Sequence, residues 1–225
     1  MQKDPSVLVG YVYTQHKEYC RFLYPKTFNS LTYKNKLAAF IDEKDYPILR
    51  DQPTGEQRAA AGRQILIELA RKKNVDWLFM LDLDTEPDPD CIEKLLAVKH
   101  AVVGGLHAAR GDAWHIIGHK YKNRVNLQRE WLKQSDVNQN QEVDGISGGT
   151  ILVAKGIFDK VDYTGYIGPN TIPGRYTADD EWFLLNLYKK MKIRPHACFN
   201  CRSWHYHTDG RAYKLFGQQK IWRAY

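Results

Sequence analysis

Apolar positions run along this chain in short blocks of two kinds. Val7 to Tyr13 (VLVGYVY) is β-branched and aromatic, the composition of a buried first strand. Residues 33–41 predict a short helix. Thr54-Gly-Glu-Gln57 has the pattern of a capping box, and apolar positions at Leu66, Leu69 and Ala70 carry one helix face to about Lys73. Asp76-Trp-Leu-Phe-Met-Leu-Asp82 is a continuous apolar run of the kind that a strand covered on both faces needs. Pro87 and Pro89 break it, residues 90–98 predict another helix, and residues 101–106 another strand. This β-α-β-α-β alternation predicts a parallel, doubly wound sheet whose strand C-termini share one ligand-binding edge. After Gly111 the pattern turns into short mixed strands and loops. One further helix, about 178–191, follows the glycine-containing stretch 169–174, with Thr177 as its expected N-cap. An aromatic, basic tail, 211–225, finishes the chain.

Composition narrows the class. A length of 225 residues suits one substantial domain, and no linker or repeat divides it. A hydrophobic share of 43% excludes disorder as the overall state. No apolar run approaches the roughly 18 residues of a membrane span, and the N-terminus has no signal-peptide core. Four cysteines, Cys20, Cys91, Cys198 and Cys201, are too few for a disulfide framework. These features lead to the expectation of a cytoplasmic protein in a reducing setting. The 33 basic against 26 acidic side chains give a formal charge of +7 and affinity for anions, whether nucleic acid, phosphates or a membrane surface.

Three segments carry candidate chemistry. In Leu78-Phe-Met-Leu-Asp-Leu-Asp84, strand alternation points Asp82 and Asp84 the same way at a strand end. Two such carboxylates suit a divalent cation, Mg²⁺ or Mn²⁺, shared with phosphates. Asp179-Asp180-Glu181 opens the late helix. Acids there are favoured by the macrodipole, but three in a row exceed what capping needs, and one ionised carboxylate there can act as a general base. In Ser203-Trp-His205-Tyr-His207, alternation puts both histidines on one face, where an imidazole can join the aspartates on a metal. Other signals are discounted. Cys198-x-x-Cys201 lacks a second such pair, and His115 to His119 lacks the glutamate of a zinc protease. Gly104-Gly105 and Gly148-Gly149 form neither a dinucleotide fingerprint nor a P-loop, and instead admit a close backbone approach.

In order and in motif these pieces resemble the GT-A glycosyltransferases, particularly compact members of the family-2 type. VLVGYVY is similar to the family's nucleotide-binding start, Arg63-Gln-Ile-Leu to its Arg-Asn-x-Leu helix, and WLFMLDLDTEPDPD to its DXD segment. Residues 143–153 are similar to the Gly-containing segment behind the donor sugar, Asp179-Asp180 to its Glu-Asp pair, and His205 to its late metal-binding histidine. The resemblance implies a GT-A α/β fold with a mostly parallel central sheet and a smaller mixed acceptor-side part. It also implies one domain over 1–225, with a nucleotide-binding half (1–110) and an acceptor-binding half (111–225). The implied activity is metal-dependent transfer of a hexose from a nucleotide-sugar, UDP-sugar first and GDP-mannose second, to a glycan or glycoprotein hydroxyl. The implied metal, Mn²⁺ or Mg²⁺, lies on Asp84 and His205, with Asp82 and His207 as further candidates. Donor contacts are expected from Tyr11, Tyr13, Arg63, Asp82, Asp84, Gly148, Gly149 and Arg211. Asp180 is expected as the inverting base, with Asp179 as the alternative register.

Three other readings compete, one of them a sugar-binding relative that has lost catalysis, against which the intact Asp82, Asp84 and Asp180 argue. A basic, aromatic-rich single-stranded nucleic-acid binder accounts for the charge and the tail, but not for aspartates that repel phosphate. A sugar nucleotidyltransferase needs a glycine-rich basic loop after the first strand, and none is seen. The expected partners are therefore donor and acceptor, with no nucleic acid and no transmembrane segment.

Overall fold

The computed structural model describes residues 4–109, 112–123, 127–133, 139–172 and 176–222. Gly111, Gly174, the end of the tail and the side chain of His115 lie outside the described residues. The first half holds β1 (Val7–Tyr13), a 3-10 segment (Gln15–Cys20), α1 (Leu23–Ser30), β2 (Lys36–Asp42), α2 (Pro47–Arg50) and α3 (Gly55–Lys73). It continues with β3 (Trp77–Asp82), β4 (Thr85–Pro87), α4 (Cys91–Ala97) and β5 (Val102–Ala109). Short strands come next: β6 (Asp112–Ile116), β7 (Gly118–Asn123), β8 (Gln128–Trp131), β9 (Gln141–Glu142), β10 (Gly145–Ile146) and β11 (Thr150–Ala154). The chain ends with α5 (Lys155–Phe158), α6 (Asp179–Met191), β12 (His196–Tyr206), β13 (Arg211–Lys214) and β14 (Gln218–Ile221).

The large sheet runs β14-β13-β12-β5-β11-β3-β1-β2, and β10-β7-β8 form a small separate sheet. β1 pairs in parallel with β2 and β3, and β5 with β12. The sheet as a whole is mixed, because β11 inserts antiparallel between β3 and β5 and the β12-β13-β14 edge is an antiparallel meander. The helix expected over 33–41 is corrected. Lys36–Asp42 pairs residue for residue with β1 as strand β2, so sheet pairing overrides the helix-forming Lys-Leu-Ala-Ala run.

The capping box is present: the backbone N–H of Gln57 donates to Thr54 Oγ1 at 3.2 Å, and α3 ends on a left-handed Asn74. At α6 the N-cap is Ala178 rather than Thr177, with no side-chain cap. Alternation along the strands gives the sheet two buried faces. Leu8, Leu78, Met80 and Ile151 pack with Leu66, Ile67, Phe183 and Leu187 on the α3/α6 side. Val7, Val9, Tyr11, Phe79 and Leu81 pack with Ile92 and Leu95 on the α4 side. On that second side Cys91 and Cys201 form a buried disulfide that staples α4 to β12. The cysteine count therefore gives no argument for a reducing setting. Among the described residues no helix is long and apolar enough to cross a membrane.

The topology defines one working edge. β5 is antiparallel to β11, which is antiparallel to β3, so β1, β3, β5 and β12 all end on the same side. Their C-terminal residues converge there with the start of β11 and, through Arg63 and Gly148, with the first turn of α6.

Candidate active site

β3 delivers Asp82 to this edge, and the turn after it delivers Asp84, which is fully buried. Both carboxylates meet one cation. Lys17 Nζ lies 2.9 Å from Asp84 Oδ1 and 3.6 Å from Asp82 Oδ2. A second cation, Arg63, rises from the buried face of α3. One of its nitrogens donates to Asp82 Oδ1 at 2.7 Å and another pairs with Asp179. The guanidinium lies against Gly148, where a Cβ would stand 2.7 Å from its carbon, and a Cβ on Gly149 would meet His107 at 3.0 Å. The glycine pair thus lets Arg63 and Asp82 press against backbone. Burial alone would raise the Asp82 carboxyl, but Lys17 and Arg63 outweigh it and hold it down at about 2.

His205 of β12 completes this cluster. Its Nδ1 lies 3.0 Å from the Ala108 carbonyl, which only accepts, so Nδ1 carries the proton. That leaves Nε2 directed at Asp84, 3.7 Å from Oδ2. His107 packs edge-on against His205, and burial together with that neighbour pushes it down to about 3, so it stays neutral. His207 stands apart: it comes after the end of β12, and its Nδ1 pairs with Asp209 at 3.3 Å. Among the described residues, no three His, Cys, Asp or Glu side chains converge as a ready-made metal site. The donors still fit a cation, because the Lys17 ammonium already occupies the position between the two carboxylates.

The three acids that open α6 have three different partners. Asp179 takes Arg63. Asp180 accepts from the backbone N–H of Gly148 at 2.9 Å and from that of Glu181 at 2.7 Å. Glu181 turns to the small sheet, where it takes Arg129 and accepts from the Tyr121 hydroxyl at 2.7 Å. Burial raises the Asp179 carboxyl to about 7 against the pull of Arg63, with Asp180 and Asp82 adding to the rise. Burial also raises Asp180, against Arg63 and its two backbone donors.

Two cavities adjoin this turn. One, of 260 Å³, is lined by Val12, Thr14, Lys17, Arg63, Asp82, Asp179 and Asp180 among others. The other, of 190 Å³, is lined by His119, Arg129, Trp131, Tyr176, Asp180 and Glu181 with neighbouring backbone. Of the α6 acids, Asp180 alone borders both.

Several expected donor residues lie elsewhere. Tyr11 and Tyr13 are buried in the core: Tyr11 packs on Tyr24, and Tyr13 stacks on Phe40 beneath Arg21. Strand parity explains this, since the even positions Val12 and Thr14 face the cavity and the odd ones face away. Arg211 is exposed on β13 and lines a hollow with Gln219, Lys220 and Ile221. Sequence reasoning missed Lys17, which sits in an aperiodic 3-10 segment, and the Trp131–Tyr176 pair, which lies on short elements.

No protein-family model matches the sequence, and a comparison with curated proteins finds no relative. Among solved structures the chain is similar to A197 from STIV, with a TM-score of 0.64 at 14% identity over 98% of this chain and 95% of that one. The fold is shared with A197. GalNAc-T7, crystallised with UDP, GalNAc and Mn²⁺, aligns at TM-score 0.49 and 12% identity over 97% of this chain and 45% of its own. A glycosyltransferase involved in glycosylation of the major capsid of PBCV-1 aligns at 0.42 and 12%, over 86% and 81%. Both scores fall below 0.5 and carry no weight for function.

Proposed function

We propose that the chain is a glycosyltransferase that moves a hexose from a nucleotide-diphosphate sugar, UDP-sugar first and GDP-mannose second, to a hydroxyl of a glycan or glycoprotein. The reading treats residues 1–225 as one GT-A domain. The observation that carries it is the position of Asp180 between a cavity lined by cations and carboxylates and a hollow lined by aromatic rings. A pyrophosphate belongs on the charged side and a sugar ring on the aromatic side, where indole and phenol faces suit its C–H edges.

In this mechanism Asp180 takes the proton from the acceptor hydroxyl as its oxygen attacks the anomeric carbon, and the opposite-face attack inverts the configuration. Its carboxyl, raised by burial, is a stronger base than an ordinary aspartate. Arg63 fixes Asp82 and Asp179, so the acids around the reacting centre are oriented before substrate arrives. Asp84, His205 Nε2 and Asp82 would hold Mn²⁺ or Mg²⁺. Such an ion supplies Lewis-acid neutralisation of the departing diphosphate.

The test is release of nucleoside diphosphate from a panel of UDP- and GDP-sugars, with and without oligosaccharide acceptors, in Mn²⁺, Mg²⁺ or chelator. Acceptor-stimulated release that stops in chelator supports the reading. Release of pyrophosphate from a nucleoside triphosphate plus sugar phosphate would replace it with nucleotidyl transfer. No turnover of any donor would end it.

A further inference from the structure

Lys17 has a place that ordinary solvation of a lysine does not explain. Its stem leaves a 3-10 segment directly after β1, and backbone helicity breaks at Lys17 itself, with φ −103° and ψ 16°. From there the ammonium reaches inward to Asp82 and to Asp84, a carboxylate with no exposed surface. Asp84 therefore needs a cation whatever else is bound, since burying an unpaired carboxylate costs several kcal/mol. His205 Nε2 also faces Asp84, but at 3.7 Å from Oδ2 it is beyond hydrogen-bond distance, whereas Lys17 is within it.

The surrounding charges press in the same direction. Among the side chains lining the charged cavity and Asp84 behind it, five acids, Glu56, Asp82, Asp84, Asp179 and Asp180, stand with two cations, Lys17 and Arg63, of which Asp82, Asp84 and Asp179 are ion-paired to them. A diphosphate brought to this group adds like charge. It can settle only if the carboxylates gain a further cation or if a cation already there turns toward it.

We infer that Lys17 is an exchangeable internal cation: it holds Asp82 and Asp84 together in the empty site, yields them to a divalent ion, and then bonds the diphosphate that arrives with that ion. The inference rests on the donor-site reading only for its second half. Asp84 is never left unpaired during the exchange, and the ammonium needs to move only as far as its flexible stem allows. The consequence is coupling: nucleotide and metal each favour the other's binding, because each removes the reason for Lys17 to stay where it is.

The experiment uses the full chain and Lys17→Met, with Lys17→Arg as the conservative variant. Free Mn²⁺ is followed by its electron paramagnetic resonance signal, first alone and then with UDP or GDP. In Lys17→Met, Mn²⁺ alone is expected to bind about tenfold more tightly than in the wild type, because its competitor is gone. UDP or GDP at saturating Mn²⁺ is expected to bind about tenfold more weakly, because a charge-assisted contact is lost. Lys17→Arg should restore both values toward wild type. A merely structural role would weaken both ligands together, so unchanged or weaker Mn²⁺ binding in Lys17→Met overturns the exchange. If Mn²⁺ binding tightens but neither nucleotide binds any variant, the competition stands while the phosphate contact and the proposed donor class both fall.

Discussion

The two cavities that meet at Asp180 are built on opposite lines. On the charged side the carboxylates have assigned partners, Lys17 between Asp82 and Asp84 and Arg63 between Asp82 and Asp179. Asp82, Arg63 and Asp179 sit on β3, α3 and α6, with Arg63 and Asp82 against a glycine backbone, so their geometry is fixed before anything binds. On the aromatic side the walls stand open: Trp131 is 44% exposed and Tyr176 57% exposed. What holds that side is indirect, through Glu181 to Arg129 and Tyr121 on the small sheet. The difference separates two kinds of damage. Injury to the charged side should register as lost stability, and injury to the aromatic side only as lost affinity.

The sharpest way to break the comparison is to change the acid that both cavities share. Asp180→Asn keeps the shape and one of the two backbone contacts, to Gly148 or to Glu181, but removes the base, so transfer should fall by about 10²–10⁴-fold. Donor affinity in an equilibrium titration should stay close to wild type; loss of donor binding instead would make Asp180 part of the charged side alone. The wild-type rate should climb with pH through a midpoint above the usual carboxylate range, since burial raises this acid. A midpoint near the ordinary aspartate value of about 4 would argue against Asp180.

Next in size is Arg63→Met, which leaves Asp82 and Asp179 facing each other without the guanidinium. Breaking a buried pair this way costs about 3–5 kcal/mol, read from urea unfolding at neutral pH. The sign with pH is specific. In the wild type Asp82 is held down at about 2, so its contribution is present above the unfolded value of about 4 and is lost as pH falls through about 2. In the variant, protonation relieves the repulsion, so the gap between the two proteins should narrow on acidification. A gap that widens would contradict the ion-pair account.

Legibility in the sequence divides along the same line. The meeting of Asp82, Asp84 and His205 could be read because two of them end an apolar strand and the third lies on a recognisable late strand. The partner of the aspartates could not, since a lysine in an aperiodic polar segment reads as a solvated side chain. The resemblance of the first strand to a nucleotide-binding start points to Tyr11 and Tyr13 as donor contacts, whereas parity hands that face to Val12 and Thr14. Direction was also hidden: a run as short as Thr-Ile-Leu-Val-Ala in β11 is equally apolar in either sense. Ser203 to His207 suggested two equivalent histidines, yet β12 ends at Tyr206 and the turn beyond it carries His207 to Asp209.

A smaller effect concerns the face of the sheet remote from α3. Cys91 and Cys201 close a span of 110 residues, and a bridge of this kind typically contributes about 2–4 kcal/mol. Cys91→Ala/Cys201→Ala should shift the urea midpoint accordingly without changing donor affinity. Reductant should lower the wild-type midpoint and leave the double variant's unmoved. Equal sensitivity of both proteins would remove the staple from the account of stability.

The smallest expected effect is the one that best isolates the aromatic side. Trp131 sits on β8, its ring edge-on to His119 at 5.5 Å and under the Arg129 guanidinium at 5.8 Å, and nearly half of it is open to solvent. Trp131→Ala should therefore lower the unfolding midpoint far less than Arg63→Met does, while removing a stacking surface worth about 0.5–1.5 kcal/mol, or about two- to tenfold in acceptor KM. Acceptor-independent release of nucleoside diphosphate should be untouched, because Trp131 lines the aromatic hollow and not the charged cavity. Trp131→Phe, which keeps a flat face, should recover part of the loss. If donor affinity drops along with acceptor affinity in Trp131→Ala, the two cavities form one binding surface and the contrast drawn between them fails.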